Sequence, residues 1–185
     1  MVADIPRLLE PAHLETLLGS EPKNVNLIIV DLCTDALYPH KHVPGAVHLQ
    51  PGALMAGTAP YPGKLPPMGQ LENIIRYLGI NADSHIVIYD DEGGGWAGRF
   101  AWTLDLLGFQ NWSYLNGGIV AWIKEGFVTE SQINQPVASD TQIGIASPEV
   151  LISSDKIISQ LENANFAVWD ARSPGEYSGN MVRSA

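Results

Sequence analysis

Apolar and polar positions along this chain follow two different periods, and the switches between them mark out its elements. "PAHLETLLGS", residues 11–20, spaces its apolar positions for one helix face and has a glycine near its end, which predicts a short amphipathic helix. "NLIIVDL" follows, with an unbroken apolar run at residues 27–30, rich in β-branched side chains and closed by Asp31. Such a run predicts a strand buried on both faces, as in a parallel sheet. "HVPGAVHLQ" reads as a proline-glycine turn running into a strand at residues 46–49, and "PGALMAGTAPYPGKLPPMG" as a surface loop too rich in Pro and Gly for regular structure. The helical period returns in "GQLENIIRYLGI". Residues 85–89 are then a central strand, "AGRFAWTLDLLGF" a helix stopped by Gly108, "WSYL" a strand and "GGIVAWIKEGF" a helix. Strands alternating with helices at these lengths predict an α/β fold with a mainly parallel sheet covered by helices.

From about Val128 to Ala146 the pattern becomes polar and aperiodic, so the expected organisation is a domain at 1–130, a linker at 131–147 and a second segment at 148–185. That segment, "SSDKIISQLENANFAVWDARSPGEY", reads as a capped helix followed by a strand. It repeats the start of the chain in kind: helix, strand, then Asp31 with Tyr38 in the first copy and Asp170 with Tyr177, at equal spacing, in the second. One strand and one helix cannot bury a core, which predicts that 148–185 is the opening of a domain whose remainder is missing.

Composition narrows the classes of function. Apolar residues make up 45% of 185 residues and charged residues only 16%, which fits a packed globule. Ten Lys+Arg against twenty Asp+Glu leave a net charge of −10, opposing nucleic acid and anionic membranes as partners. The single cysteine, Cys33, forms no internal disulfide and no zinc cluster, and no histidine pair has metal-ligand spacing on a helix. The N-terminus lacks the basic start and apolar run of a signal peptide, and no window approaches a membrane span. These features point to a cytoplasmic protein with no metal and no cofactor.

Three stretches carry a resemblance. "VDLCTDALYPHKHVPGAVHL" contains Asp31, Tyr38, His42, Pro44, Gly45 and Ala46; "YLNGGIVAWIKEGF" contains Asn116, Gly117, Gly118, Trp122 and Gly126; between them lies "IVIYDDEGGGWAGRF". In this order and spacing they resemble the rhodanese family of sulfurtransferases, in particular its bacterial tandem-domain thiosulfate sulfurtransferases. "VWDARSPGEY" looks like the start of their second, catalytic domain. The resemblance implies a five-stranded parallel sheet flanked by helices. It also implies a cysteine directly after the central strand, seated in a bowl of backbone N–H groups at a helix N-terminus. Converging amides and the helix dipole stabilise a thiolate or persulfide there.

In this sequence the residue after Tyr89 is Asp90. A carboxylate forms no persulfide, so the domain is expected to be catalytically degenerate, its own carboxylate occupying the bowl, with the nucleophilic Cys beyond Ala185. Like charges about 4 Å apart repel by about 1 kcal/mol in water and about 4 at an effective dielectric of 20, so Asp90, Asp91 and Glu92 should also keep thiosulfate away. His42 is expected to pin its turn, and Arg99 to offset the acidic cluster or bond a backbone carbonyl. Arg172 is a candidate substrate contact or a partner for Glu176, four residues on; Glu176 stands where some tandem members hold thiosulfate with an Arg. The implied partners are thiosulfate, a thiol or cyanide acceptor, and the missing C-terminal half. The alternative is a non-catalytic binding or regulatory module. Asp90 as a general base, a dinucleotide loop in "EGGGWAGR" and a phosphatase are weaker readings: the glycines lack Gly-x-Gly-x-x-Gly spacing, and a phosphatase needs the same absent cysteine.

Overall fold

Five strands line up in the order β1-β5-β4-β2-β3, every neighbouring pair parallel. They belong to a computed structural model that describes residues 5–20, 25–59 and 61–181; the first four residues of the chain's N-terminal stretch and Pro60 of its proline-rich loop lie outside these. In chain order the elements are β1 (Leu8–Leu9), α1 (Pro11–Gly19), β2 (Asn26–Asp31), β3 (Val47–His48), α2 (Met68–Tyr77), β4 (Ser84–Tyr89), α3 (Gly95–Leu107), β5 (Trp112–Leu115) and α4 (Gly118–Lys124). The short edge strand β1 has no counterpart in the sequence reading, since two residues carry no period. The loop expected to be irregular contains one 3-10 turn, Pro51–Leu54, started by its own proline.

Alternation along β4 assigns the two faces. Every residue of β4 is buried. Ile86 and Ile88 join Leu71, Ile74 and Ile75 of α2 and Phe100 and Leu104 of α3 in one core. Val87 and Tyr89 join Leu14 of α1 and Ile119 and Trp122 of α4 in the other. Each such fully buried side chain contributes about 1.5–3 kcal/mol. A three-layer sandwich follows, with the loop after β4 at the carboxyl end of the central strand, where open α/β sheets place their ligands.

β3 pairs only with Val30 and Asp31, so the first four residues of β2 lack a strand on that side. The aperiodic stretch from Glu130 to Ser147 lies beside this edge at residues 134–137. Its hydrogen bonds go to the first unit: Glu130 and His42 exchange backbone bonds at 3.0 Å, Ser139 and Thr141 hydroxyls donate to the Ile80 carbonyl at 2.9 and 2.7 Å, and the Ala146 N–H donates to the Leu106 carbonyl at 3.0 Å. A polar strap of this kind shields an open sheet edge from other chains. Residues 131–147, expected as a linker, thus carry no helix or strand and are held by the polar side chains that gave them a linker's composition.

Two compact units divide at Ser147, the second being Pro148–Ala185. By itself the second unit has a short 3-10 turn, Pro148–Val150, and two helices, α5 (Ser154–Gln160) and α6 (Pro174–Tyr177). Ser153 caps α5 by accepting the Lys156 N–H at 3.2 Å, as the sequence predicts. The strand expected before Asp170 is absent. A strand exists only when its N–H and C=O groups find a ladder, and no strand is present among the described residues of this unit. Val168 is 60% and Trp169 94% exposed. The 185-residue chain is therefore expected to self-associate or capture a partner, checked by light scattering; a monodisperse monomer contradicts this.

Candidate functional site

Asp90 begins the loop between β4 and α3, and its carboxylate is enclosed by that loop. Oδ1 accepts the backbone N–H of Glu92 at 3.1 Å and of Gly94 at 2.8 Å; Oδ2 accepts those of Trp96 and Ala97, both at 3.0 Å. The side chain is 1% exposed. Two consecutive glycines make this possible: Gly93 and Gly94 lie at φ 83° and 97°, where an ordinary side chain is strained, and turn successive amides inward. The N–H groups of Trp96 and Ala97 belong to the first turn of α3, which has no intrahelical acceptors for them. The carboxylate thus supplies the negative partner that a helix N-terminus favours.

Around this cup the other site candidates are dispersed. Asp91 turns to Thr34 instead: its Oδ2 accepts the Thr34 hydroxyl at 3.1 Å and the Thr34 N–H at 3.4 Å, and its Oδ1 is enclosed. Glu92 is exposed and contributes its backbone N–H to the cup. Arg99 does not reach the carboxylates. Its guanidinium donates to the Leu54 carbonyl at 3.1 Å and the Gly63 carbonyl at 3.0 Å and lies 4.9 Å over the Trp102 ring, with burial lowering its pKa. It ties α3 to the proline-rich loop.

His42 is fully buried. Its Nδ1 lies 2.7 Å from the Tyr38 carbonyl, so that nitrogen carries a proton, while Nε2 faces Glu130 Oε1 at 3.3 Å. The same Oε1 accepts the Gly45 N–H at 2.6 Å and the Asn134 side-chain amide at 2.5 Å. Burial raises the Glu130 pKa, but these donors and His42 outweigh it and hold the group below its ordinary 4.5. The clasp's stabilisation is then present above about pH 4.5 and lost as pH falls through the lowered folded value. Glu130→Gln should lower stability at neutral pH, with the gap from the parent closing on acidification; a gap constant down to pH 3 in denaturant titrations refutes the charge assignment.

Asp31 and Tyr89 end neighbouring strands in register, and the Tyr89 hydroxyl donates to Asp31 Oδ2 at 2.5 Å while accepting the Val43 N–H at 3.1 Å. Asp31 Oδ1 accepts the Cys33 N–H at 2.7 Å. Burial raises the Asp31 pKa despite these bonds, and burial and then Asp31 itself push Tyr89 well above 10. The Cys33 thiol is enclosed, and burial followed by the Asp31 charge pushes its pKa far above that of an ordinary thiol. It is held protonated and is a poor nucleophile.

In the second unit Arg172 does not pair with Glu176. Its guanidinium donates to both oxygens of Asp170, Nε to Oδ1 at 3.0 Å and Nη2 to Oδ2 at 2.6 Å, and its backbone N–H donates to Oδ1 at 2.9 Å. Glu176 instead closes a capping box at the start of α6, accepting the Ser173 N–H at 3.0 Å. The correction is one of reach: Glu176, three residues past the cap, is placed to bond Ser173, and Asp170 is the nearer carboxylate. Sequence reading missed Asn134, Glu130, Thr34 and the Tyr89–Asp31 pair. Only the last had a signal, two polar groups closing two buried apolar runs.

Residues 11–125 match the family described as the rhodanese-like domain. The chain belongs to this family. Among curated relatives, the rhodanese-like chain is 42% identical over 183 residues to the thiosulfate sulfurtransferase of Azotobacter vinelandii and 39% identical to that of Pseudomonas aeruginosa. Each match covers 99% of this chain and 66% of the relative, so the chain spans about two thirds of their length. Among solved structures it is similar to SseA from Escherichia coli, titled a 3-mercaptopyruvate sulfotransferase, with a TM-score of 0.81 at 23% identity over 92% of this chain and 67% of that one. Tum1 from Saccharomyces cerevisiae matches with a TM-score of 0.77 at 19% identity over 98% and 65%. At these identities the two structures establish the fold, and the expected five-stranded parallel sheet flanked by helices is the one observed. No helix among the described residues is long and apolar enough to cross a membrane.

Proposed function

We propose that this chain is the non-catalytic N-terminal rhodanese domain of a tandem-domain thiosulfate sulfurtransferase, followed by the first elements of its catalytic domain. The observation carrying this reading is the cup at Asp90. Its four N–H groups are arranged for a sulfur anion but already bound to a carboxylate, which cannot bond to sulfur. The chemistry belongs to a cysteine in an equivalent cup of the second domain. There the thiolate attacks the outer sulfur of thiosulfate; the Cys S–S bond forms as the S–S bond of thiosulfate breaks, and sulfite leaves with the electron pair. Cyanide or a thiolate then attacks the outer sulfur of Cys–S–S⁻ and regenerates the thiolate. Arg172, two residues after Asp170, is the candidate substrate contact that this chain contributes to that domain. The work is placed in the reducing cytoplasm, where a free thiol persists.

Thiocyanate production from thiosulfate and cyanide tests the reading. The 185-residue chain should give none and no sulfur adduct by mass spectrometry. A chain continued to the length of its bacterial relatives should turn over, and should lose at least about a thousandfold when its loop cysteine is replaced by serine. Turnover by the 185-residue chain alone refutes the proposal. An inactive longer chain favours a second reading, a binding or regulatory module, which the self-filled cup also fits.

A further inference from the structure

Glu130, on the strap, and the loop 90–97 are joined by a series of hydrogen bonds linked through adjacent residues of the backbone. Glu130 holds the turn 42–46 through the Gly45 N–H at 2.6 Å and both backbone bonds of His42. Val43, inside that turn, donates to the Tyr89 hydroxyl at 3.1 Å, and the hydroxyl donates to Asp31 at 2.5 Å. Asp31 holds the Cys33 N–H at 2.7 Å, and the next residue, Thr34, bonds Asp91 at 3.1 Å. Two routes therefore reach the loop: Tyr89 precedes Asp90 in the chain, and Thr34 grips the residue after it. The middle of the series is dry, with His42, Val43, Tyr89, Asp31 and Cys33 each at most 3% exposed. In such surroundings a hydroxyl that both donates and accepts cannot shift toward one partner without weakening its bond to the other, and water is not at hand to replace the loss.

We propose that the strap and the loop are energetically coupled through this relay: Glu130 sets how firmly the loop 90–97 is held, so that release of the strap loosens the cup. The inference does not depend on the catalytic reading. It concerns the first unit alone and makes the segment leading out of that unit a conformational control on its loop. Spatial contiguity by itself is not coupling, and a double-variant cycle supplies the measurement.

Amide hydrogen exchange on the full 185-residue chain reads the loop directly, because the N–H groups of Glu92, Gly94, Trp96 and Ala97 are those bound by Asp90. Glu130→Ala should speed their exchange at least fivefold while the slowest amides of β4 change less than twofold, which separates the effect from general destabilisation. In a Tyr89→Phe background, where the relay is cut in its middle, the same substitution should add no further acceleration to the loop. Thr34→Val, at an exposed position, removes the hydroxyl bond to Asp91 and so weakens only the second route; if Tyr89→Phe does not fold, the acceleration by Glu130→Ala should be reduced but not abolished in this background, and an undiminished effect overturns the proposal. Acceleration confined to residues 42–46 and the strap, or an equal acceleration in both backgrounds, overturns the proposal.

Discussion

Asp90→Ala should lower the melting temperature by about 10 °C. The substitution leaves four inward-turned N–H groups without an acceptor. Hydrogen bonds to a charged group contribute about 1.5–3 kcal/mol each, and an enclosed donor left unmade costs about 1–3. The loop regains part of that by opening to water, because Glu92 and Gly93 are already exposed; about 3 kcal/mol remains, at about 2–4 °C per kcal/mol for a chain of this size. Asp90→Asn should be no milder, because an amide offers one acceptor and turns its NH₂ toward two donors. Formate should raise the melting temperature of Asp90→Ala more than that of the parent, by re-occupying the cup. A calorimetric scan placing the alanine variant within about 2 °C of the parent shows that the loop does not depend on its carboxylate.

Gly118→Ala should be at least as damaging, by about 3–4 kcal/mol, for a different reason. Gly118 has φ +58°, and a Cβ there is driven into the backbone carbonyl of Asp90, which also accepts the Ile119 N–H at 3.3 Å. Backbone cannot swing aside as a long side chain does, so either α4 or the start of the loop must move. Gly45→Ala is the internal control: φ is +78° but nothing lies within 4 Å of the added Cβ. That change should cost about 1–2 kcal/mol, the left-handed strain alone. Equal losses at the two positions in urea unfolding sink the idea that α4 is pressed against Asp90.

The two substitutions probe a site of which half was legible in advance. A carboxylate after a buried β-branched run, followed by glycines and a helical period, was visible as the loop of residues 90–97. That the carboxylate fills the bowl came from the family resemblance; which amides converge was not legible, because that depends on the backbone turns at Gly93 and Gly94. The clasp was less visible still: Glu130 and Asn134 lie about ninety residues from Gly45 and Ala46 in a stretch without period. Arg172 shows the opposite failure. The four-residue spacing to Glu176 suggested a pair, but Asp170 takes the guanidinium and a capping box takes Glu176.

By itself the sequence determined β2 to β5, α1 to α5, their mainly parallel arrangement and the absence of a thiol after β4, because period and residue identity are local and survive without knowledge of the fold. Only the tertiary structure decided which four amides close on Asp90, that the polar stretch 131–147 is tied down along its length, and that residues 166–170 have no ladder to join. Each of these rests on whether a hydrogen-bonding group arrives within about 3 Å, and such a meeting is set by backbone turns and packing rather than by pattern.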